Sequence, residues 1–390
     1  MPAGRILEGS AAVAHAVRLC RPHVVAAYPI TPQTHIVEEL SQIVADGELE
    51  AEYVLVESEH SAASVCLGAV AAGSRSYSAT TSQGMLLMIE VLYNIAGMRL
   101  PLVITGVNRA VSAPLNIWND QQDTMAVRDT GWLQLYAEDN QECLDMHIQA
   151  YKISEDDRVL LPVMVCMDGF ILTHTYESVD MPTQEQVDAF LPRYNPLYKL
   201  DPADPYTLGA YVGPEMYHEV RYAIHRDCLG AKEVVKEVAR DFRAAFGRWA
   251  GDVIETYQCD DAEVVFVAMG SVVGTLKEWV DHRRAAGDKV GVLKLRCYRP
   301  FPAEELVAAL SRAKRVIVLE KAVSMGGYGI VAAELRAALY GHADVPVACA
   351  VAGLGGRDVT MGTVDEMYNR AKAGEADFFA GLRTEVLQES

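Results

Sequence analysis

Apolar and polar positions repeat along the chain in one pattern: a short β-branched run, a polar or glycine-bearing knot, then a longer stretch of helical spacing. His23-Val-Val-Ala-Ala-Tyr28 reads as a buried strand and stops at Pro29-Ile-Thr-Pro32, where two prolines exclude regular pairing. A helix over residues 8–22 precedes it and an amphipathic helix over 33–44 follows. Tyr53–Val56 is the next strand. After Glu57-Ser-Glu-His60, the small apolar residues 61–72 read as a tightly packed helix. Ser76–Thr80 leads through Thr81-Ser-Gln-Gly84 into a Met- and Leu-rich helix, and Leu102–Thr105 leads into Gly106-Val-Asn-Arg109. Gly131–Tyr136 and Val163–Cys166 read as later strands, with a helix over 141–153 between them. Strands alternating with helices predict a doubly wound parallel sheet of the α/β class.

The pattern breaks twice. Residues 112–123 are polar and aromatic, too irregular for an element and too ordered-looking for a linker, so they read as a functional loop. From about 181 to 255, prolines punctuate the first half and charged helical spacing fills Glu215 to Trp249. A second α/β unit then begins near Ala262, with strands at Val264–Ala268, Val290–Lys294, Val316–Leu319 and Val345–Val351. Its helices are expected over 273–286, 303–313 and 329–340. The expected division is a first domain over 1–180, a linker and helical arm over 181–258, and a second α/β domain over 259–390.

Bulk composition narrows the function. A net charge of −19 argues against DNA, RNA or anionic membrane as a partner. The eight cysteines include no C-x-x-C pair, which fits a reducing cytoplasm and neither a zinc site nor an iron–sulfur cluster in this chain. The first nine residues lack an apolar signal core, and no apolar run approaches the roughly 20 residues of a membrane span. The expectation is a cytoplasmic protein.

Chemistry gathers at strand ends. Thr31, Glu59, Ser82-Gln83 and Asn108-Arg109 each follow a strand's C-terminal end, and in an open parallel sheet those ends share one ligand-binding edge. Glu57 and Glu59 both read either as a helix N-terminal pair or as one carboxylate held against a cofactor nitrogen, and strand alternation puts them on the same side. Spacing does not choose between them. His60 reads as structural. Arg109 reads as a surface ion pair or as the anchor of a substrate carboxylate. Met325-Gly-Gly-Tyr-Gly329, Gly353-Leu-Gly-Gly356 and Met269-Gly-Ser271 lack a dinucleotide or P-loop fingerprint and read as tight turns and domain contacts. There is no G-x-S-x-G and no H-E-x-x-H, and no residue is read as a metal ligand.

Tyr28-Pro-Ile-Thr-Pro32, Glu57-Ser-Glu-His-Ser-Ala62, Thr80-Thr-Ser-Gln-Gly84, Asn108-Arg-Ala-Val-Ser-Ala-Pro114, Asn119-Asp-Gln-Gln-Asp123 and Gly353-Leu-Gly-Gly-Arg-Asp358 occur in this order. Gly131-Trp132 and Met167-Asp-Gly-Phe-Ile-Leu-Thr-His174 fall between the last two. Together they resemble the α subunit of pyruvate:ferredoxin oxidoreductase and related 2-oxoacid:acceptor oxidoreductases, over nearly the whole chain.

The resemblance implies a pyrimidine-type thiamine diphosphate domain joined to a transketolase C-terminal-like domain. It implies Glu59 at N1′ of the aminopyrimidine, with Ser82, Gln83 and Pro29 as cofactor neighbours. Thr31, Arg109 and Asn108 become substrate contacts, and Glu59, Arg109 and Thr31 the catalytic set. The diphosphate–Mg²⁺ signature, a Gly-Asp-Gly with a later Asn-Asn, is absent; Met167-Asp-Gly169 carries only part of it. The cofactor is therefore expected to be shared with a β-type subunit holding diphosphate and Mg²⁺. Ferredoxin-like δ and γ subunits are expected to carry [4Fe–4S] clusters, with CoA as co-substrate. The implied reaction is oxidative decarboxylation of a 2-oxoacid, pyruvate by default, with electrons passing to ferredoxin. An arylglyoxylate such as phenylglyoxylate, with NAD reached through a flavin subunit, is the alternative, and a non-catalytic scaffold chain is a third reading.

Overall fold

The computed structural model describes residues 4–387. The predicted parallel sheet forms because its strands are β-branched runs that can be covered on both faces. Val163–Asp168 and Val103–Asn108 are buried at every position. Across the sheet the order is Cys297–Arg299, Leu133–Tyr136, Val163–Asp168, Val103–Asn108, Ser76–Thr80, Val24–Ala27 and Glu52–Leu55. All neighbours pair in parallel except Cys297–Arg299, which runs antiparallel to Leu133–Tyr136.

A second sheet has the order Asp377–Phe379, Val347–Val351, Arg315–Glu320, Val264–Ala268, Val290–Leu295 and Ile254–Tyr257. Only Ile254–Tyr257, at the edge, is antiparallel. The second sheet thus recruits a strand from within the segment expected to be linker, ahead of the expected start at 259. The reason is local: Ile-Glu-Thr-Tyr is a half-exposed edge strand with no apolar run to announce it. The same holds for Arg5–Glu8 and Tyr176–Val179, which form a separate antiparallel ribbon.

The arm contains the short helix Gln184–Phe190 and the 33-residue helix Pro214–Phe246. The long helix starts with Pro214 behind Gly213, and ends at Gly247, whose φ of 73° closes it in the left-handed region. Its C-terminal half buries Ala231, Val234, Val235, Val238 and Phe242 against the first core, so the arm is packed on the domain it follows.

Helix Asn140–Ser154 is buried at most positions, including its acidic ones, because each has a partner from elsewhere. Arg248 grips Asp145 with two nitrogens, each at 2.8 Å. Lys294, from the second sheet, reaches Glu138, Glu142 and Glu255 at 2.9, 2.5 and 2.8 Å. Lys294 is 1% exposed, so its ammonium is shielded from water and the ion cluster ties the two domains together.

Candidate active site

Strand order and chain order diverge between Val24–Ala27 and Ser76–Thr80. From the first the chain crosses to one side of the sheet, and from the second to the other. A crevice opens at such a switch point, beyond the strands' C-terminal ends. The loops bearing Thr31 and Ser82 flank it.

Glu59 and Glu57 are separated by the structure. Glu57 is exposed, whereas Glu59 is the first residue of helix Glu59–Ala71 and is 6% exposed. The two do not share a side, because the strand ends at Leu55 and the helix has begun by Glu59. Ser58 caps that helix by accepting from the Ser61 amide at 3.2 Å, which leaves the Glu59 carboxylate at the helix's positive end. His60 is half-buried and gives its carbonyl to Ser64.

The Glu59 carboxylate lies over Gly84, in helix Ser82–Leu87. A Cβ at Gly84 would come within 2.6 Å of Glu59 Oε1 and of Thr80 Oγ1. No hydrogen bond to this carboxylate comes from any described residue. Thr80 Oγ1, beside the same Gly84, is buried and unpartnered, as are Thr81 Oγ1 and Gln33 Oε1 on the two loops that flank the crevice. Buried polar groups without partners are costly, so such a cluster fits a ligand with complementary donors and acceptors.

Asp123 ties the remaining loops together. Its Oδ2 accepts the backbone amides of Ser82 at 2.9 Å and Arg109 at 3.0 Å. Its Oδ1 accepts Asn108 Nδ2 at 2.9 Å and the Thr124 amide at 2.8 Å. Burial pushes Asp123 up to about 7, against the pull of these donors. Ser82 adopts a left-handed φ of 48°, and its hydroxyl lies 2.6 Å from both Ala110 O and Gln83 Oε1, either of which accepts its proton. Loops 81–84 and 108–112 therefore form one unit.

Arg109 is 7% exposed and donates through Nη1 to the Thr31 carbonyl at 2.8 Å and through Nε to Asn116 O at 3.2 Å. Among the described residues its Nη2 has no partner. Burial lowers its pKa and Asp123 raises it. Thr31 and Arg109 are thus brought together, through the Thr31 backbone; the threonine itself is exposed, as is Pro29. Asn108 is fully buried with its amide nitrogen on Asp123 and Thr124, so it braces the loop from beneath. Gln83 is half-buried and tied to Ser82 and the Ser112 carbonyl.

The second domain closes the back of the loop. Gly355 O accepts from Asn116 Nδ2 at 3.1 Å, and the amides of Gly355 and Gly356 donate to Asp120 Oδ2 at 3.1 Å and Asn119 O at 2.6 Å. A Cβ at Gly356 would stand 2.4 Å from Trp118 Cβ, so only glycine allows this approach. The glycine-rich stretch is a domain contact. Asp168, of the partial Asp-Gly signature, is 1% exposed and takes Ser271 N at 3.0 Å, Asn119 Nδ2 at 3.0 Å and Lys321 Nζ at 3.3 Å. Burial raises its pKa, but Lys321 and the Ser271 and Asn119 hydrogen bonds outweigh that and hold it low. The anion at the Met269-Gly-Ser271 turn is thus an internal carboxylate. The chain's residues suit the aminopyrimidine half of thiamine diphosphate, and Asp168 is engaged internally, away from any diphosphate–Mg²⁺ role.

Asp123, Gly84 and Lys321 carry much of this geometry without standing out as single residues in the sequence. Asp123 and Gly84 do close two of the motifs, Asn119–Asp123 and Thr80–Gly84.

Residues 15–240 match the family model described as pyruvate flavodoxin/ferredoxin oxidoreductase, thiamine diP-bdg, and residues 262–364 match pyruvate:ferredoxin oxidoreductase core domain II. The chain is 51% identical over 370 residues to pyruvate synthase subunit PorA of Methanosarcina barkeri, covering 94% of this chain and 92% of that one. It is 49% identical to PorA of Pyrococcus furiosus over the whole of both chains. It is 45% identical to ketoisovalerate oxidoreductase subunit VorA of Pyrococcus abyssi, covering 96% of each. Among solved structures, a 2-oxoglutarate:ferredoxin oxidoreductase from Magnetococcus marinus shares the fold with a TM-score of 0.70 at 19% identity, over 95% of this chain and 65% of that one. This chain therefore spans about two thirds of that solved chain. Matched from end to end by such subunits, the chain belongs to the pyruvate:ferredoxin oxidoreductase family, as the α subunit of a 2-oxoacid oxidoreductase.

Proposed function

We propose that the chain is the α subunit of a cytoplasmic, CoA-dependent 2-oxoacid:ferredoxin oxidoreductase that takes pyruvate. In this reading a β-type subunit holds the diphosphate and Mg²⁺ of a shared thiamine diphosphate, and ferredoxin-like δ and γ subunits carry the [4Fe–4S] clusters. The observation that carries the reading is the Glu59 carboxylate: buried, at a helix N-terminus, and without a partner among the described residues. PorA relatives near 50% identity support pyruvate. The VorA relative makes a branched-chain 2-oxoacid the second reading.

When bound, thiamine diphosphate supplies a nucleophilic carbon and an electron sink for decarboxylation. Glu59 would accept a hydrogen bond from the pyrimidine ring nitrogen N1′ and hold a proton there. Gly84 leaves room for that carboxylate, and Pro29, Ser82 and Gln83 border the cofactor side. Arg109 keeps its charge despite burial and turns its uncommitted Nη2 to the substrate carboxylate. The Thr31 hydroxyl donates to the bound acid, and Asn108 holds the loop through Asp123.

The test is co-expression with the partner subunits and assay of pyruvate- and CoA-dependent ferredoxin reduction. Ketoisovalerate, phenylglyoxylate and NAD belong in the same panel. Glu59→Gln should lower turnover by about 10²–10⁴-fold with assembly intact. Turnover within a few-fold of wild type would overturn the N1′ role.

A further inference from the structure

Three segments far apart in sequence meet beside the Thr31 loop: the end of strand Arg5–Glu8, the first turn of helix Thr34–Ala45, and the loop after strand Val163–Asp168. A carboxylate oxygen of Glu8 and one ring nitrogen from each of His35 and His174 all lie within 4.8 Å of one another. His35 Nδ1 is 2.6 Å from Glu8 Oε1, and the two imidazoles lie tilted at 36° with centroids 4.6 Å apart. His174 Nδ1 lies 2.7 Å from Thr173 Oγ1. That contact occupies Nδ1, while Nε2 has no partner among the described residues.

A Glu8–His35 pair alone leaves Nε2 of His174 without a partner among the described residues. The chain's other converging triad shows the contrast. Glu138, Glu142 and Glu255 are answered by the ammonium groups of Lys294 and Lys277. Among the described residues no lysine or arginine pairs with Glu8. A carboxylate and two imidazoles are the donor set of a borderline divalent ion.

We propose that Glu8, His35 and His174 bind one divalent transition-metal ion of the zinc class, with a fourth coordination position left open. The ion would brace the Thr31 loop, since His35 lies four residues beyond Thr31 and the Phe170 ring packs on both His174 and Trp118. The site does not depend on the thiamine diphosphate reading.

The full chain, stripped with chelator and dialysed against Zn²⁺, should retain about one equivalent, and its Tm should rise with excess zinc. His174→Asn and His35→Asn should each return zinc to background, while His342→Asn, an exposed histidine of the second domain, should not. Co²⁺ loading should give the visible bands of a low-coordinate site in wild type alone. Thr173→Val should weaken binding about tenfold by freeing the His174 ring. If His174→Asn fails to fold, the half-exposed His35 decides through its own variant. No retained zinc, or equal retention in wild type and His35→Asn, would overturn the site and leave an ion pair only.

Discussion

The Glu59 carboxylate rests directly on Gly84: a Cβ there would stand 2.6 Å from Oε1 and 2.7 Å from Cγ. Gly84 lies inside a helix, so an alanine suits the backbone and even favours it by about 1 kcal/mol. The displaced atom is the one proposed to meet the cofactor. The same Cβ would also stand 2.6 Å from the buried Thr80 Oγ1, so Gly84→Ala should cost about 1–3 kcal/mol of stability and lower kcat by about 100-fold. Paired melting curves and steady-state rates check this; wild-type kcat would separate Glu59 position from catalysis.

Asp123 accepts two N–H donors on each oxygen. An asparagine must turn its NH₂ toward one of those pairs, leaving two buried donors unmet. Asp123→Asn should cost roughly 2–4 kcal/mol. Denaturant unfolding measures the cost. The KM for the 2-oxoacid should rise as well, because the Arg109 backbone is released. Unchanged unfolding would mean that loops 81–84 and 108–112 hold without this residue.

Lys294 neutralises three carboxylates at the domain junction. Lys294→Met would leave Glu138, Glu142 and Glu255 facing one another, with Lys277 reaching two of them. Loss of one partner from a buried cluster costs about 3–5 kcal/mol. We expect earlier unfolding of the junction, visible as faster amide exchange in helix Asn140–Ser154. Exchange at the wild-type rate there would show that the domains dock without the cluster.

Glu320 ends strand Arg315–Glu320 and accepts the Ala332 amide at 2.7 Å. Burial raises its pKa from 4.5 to about 8. Between those values the folded state binds more protons than the unfolded chain, so this group makes stability fall as pH rises from about 4.5 to about 8. Glu320→Gln imitates the protonated acid and removes that loss. The variant should match wild type near pH 4.5 and exceed its stability above pH 8, by a few kcal/mol at most. Parallel pH–Tm curves would refute the shift.

What the sequence disclosed follows from what each residue had to do locally. The parallel strands were legible because burial on both faces demands continuous apolar runs, as in Val163–Asp168. The strand-end motifs were legible because parallel topology sends them all to one edge. Glu59 was not separable from Glu57 by pattern, since the choice depended on where the helix begins. Asp123 was hidden because its four donors come from three loops, which no local pattern records. The strands Ile254–Tyr257 and Cys297–Arg299 were invisible for another reason: short, partly polar edge strands have no periodicity to read.

Cys297–Arg299 has one more effect. It is drawn from the second half of the chain, yet it lies along Leu133–Tyr136, and Tyr136 donates to Arg296 O at 2.8 Å. A nascent polypeptide that has emerged only to residue 258 therefore carries a mostly apolar strand, Leu-Gln-Leu-Tyr, with one row of amides and carbonyls bare. Such a row invites pairing with another unfinished chain. The first sheet is completed late in synthesis, by a strand more than a hundred residues downstream, and a gene split between the two halves would leave each product with an adhesive seam.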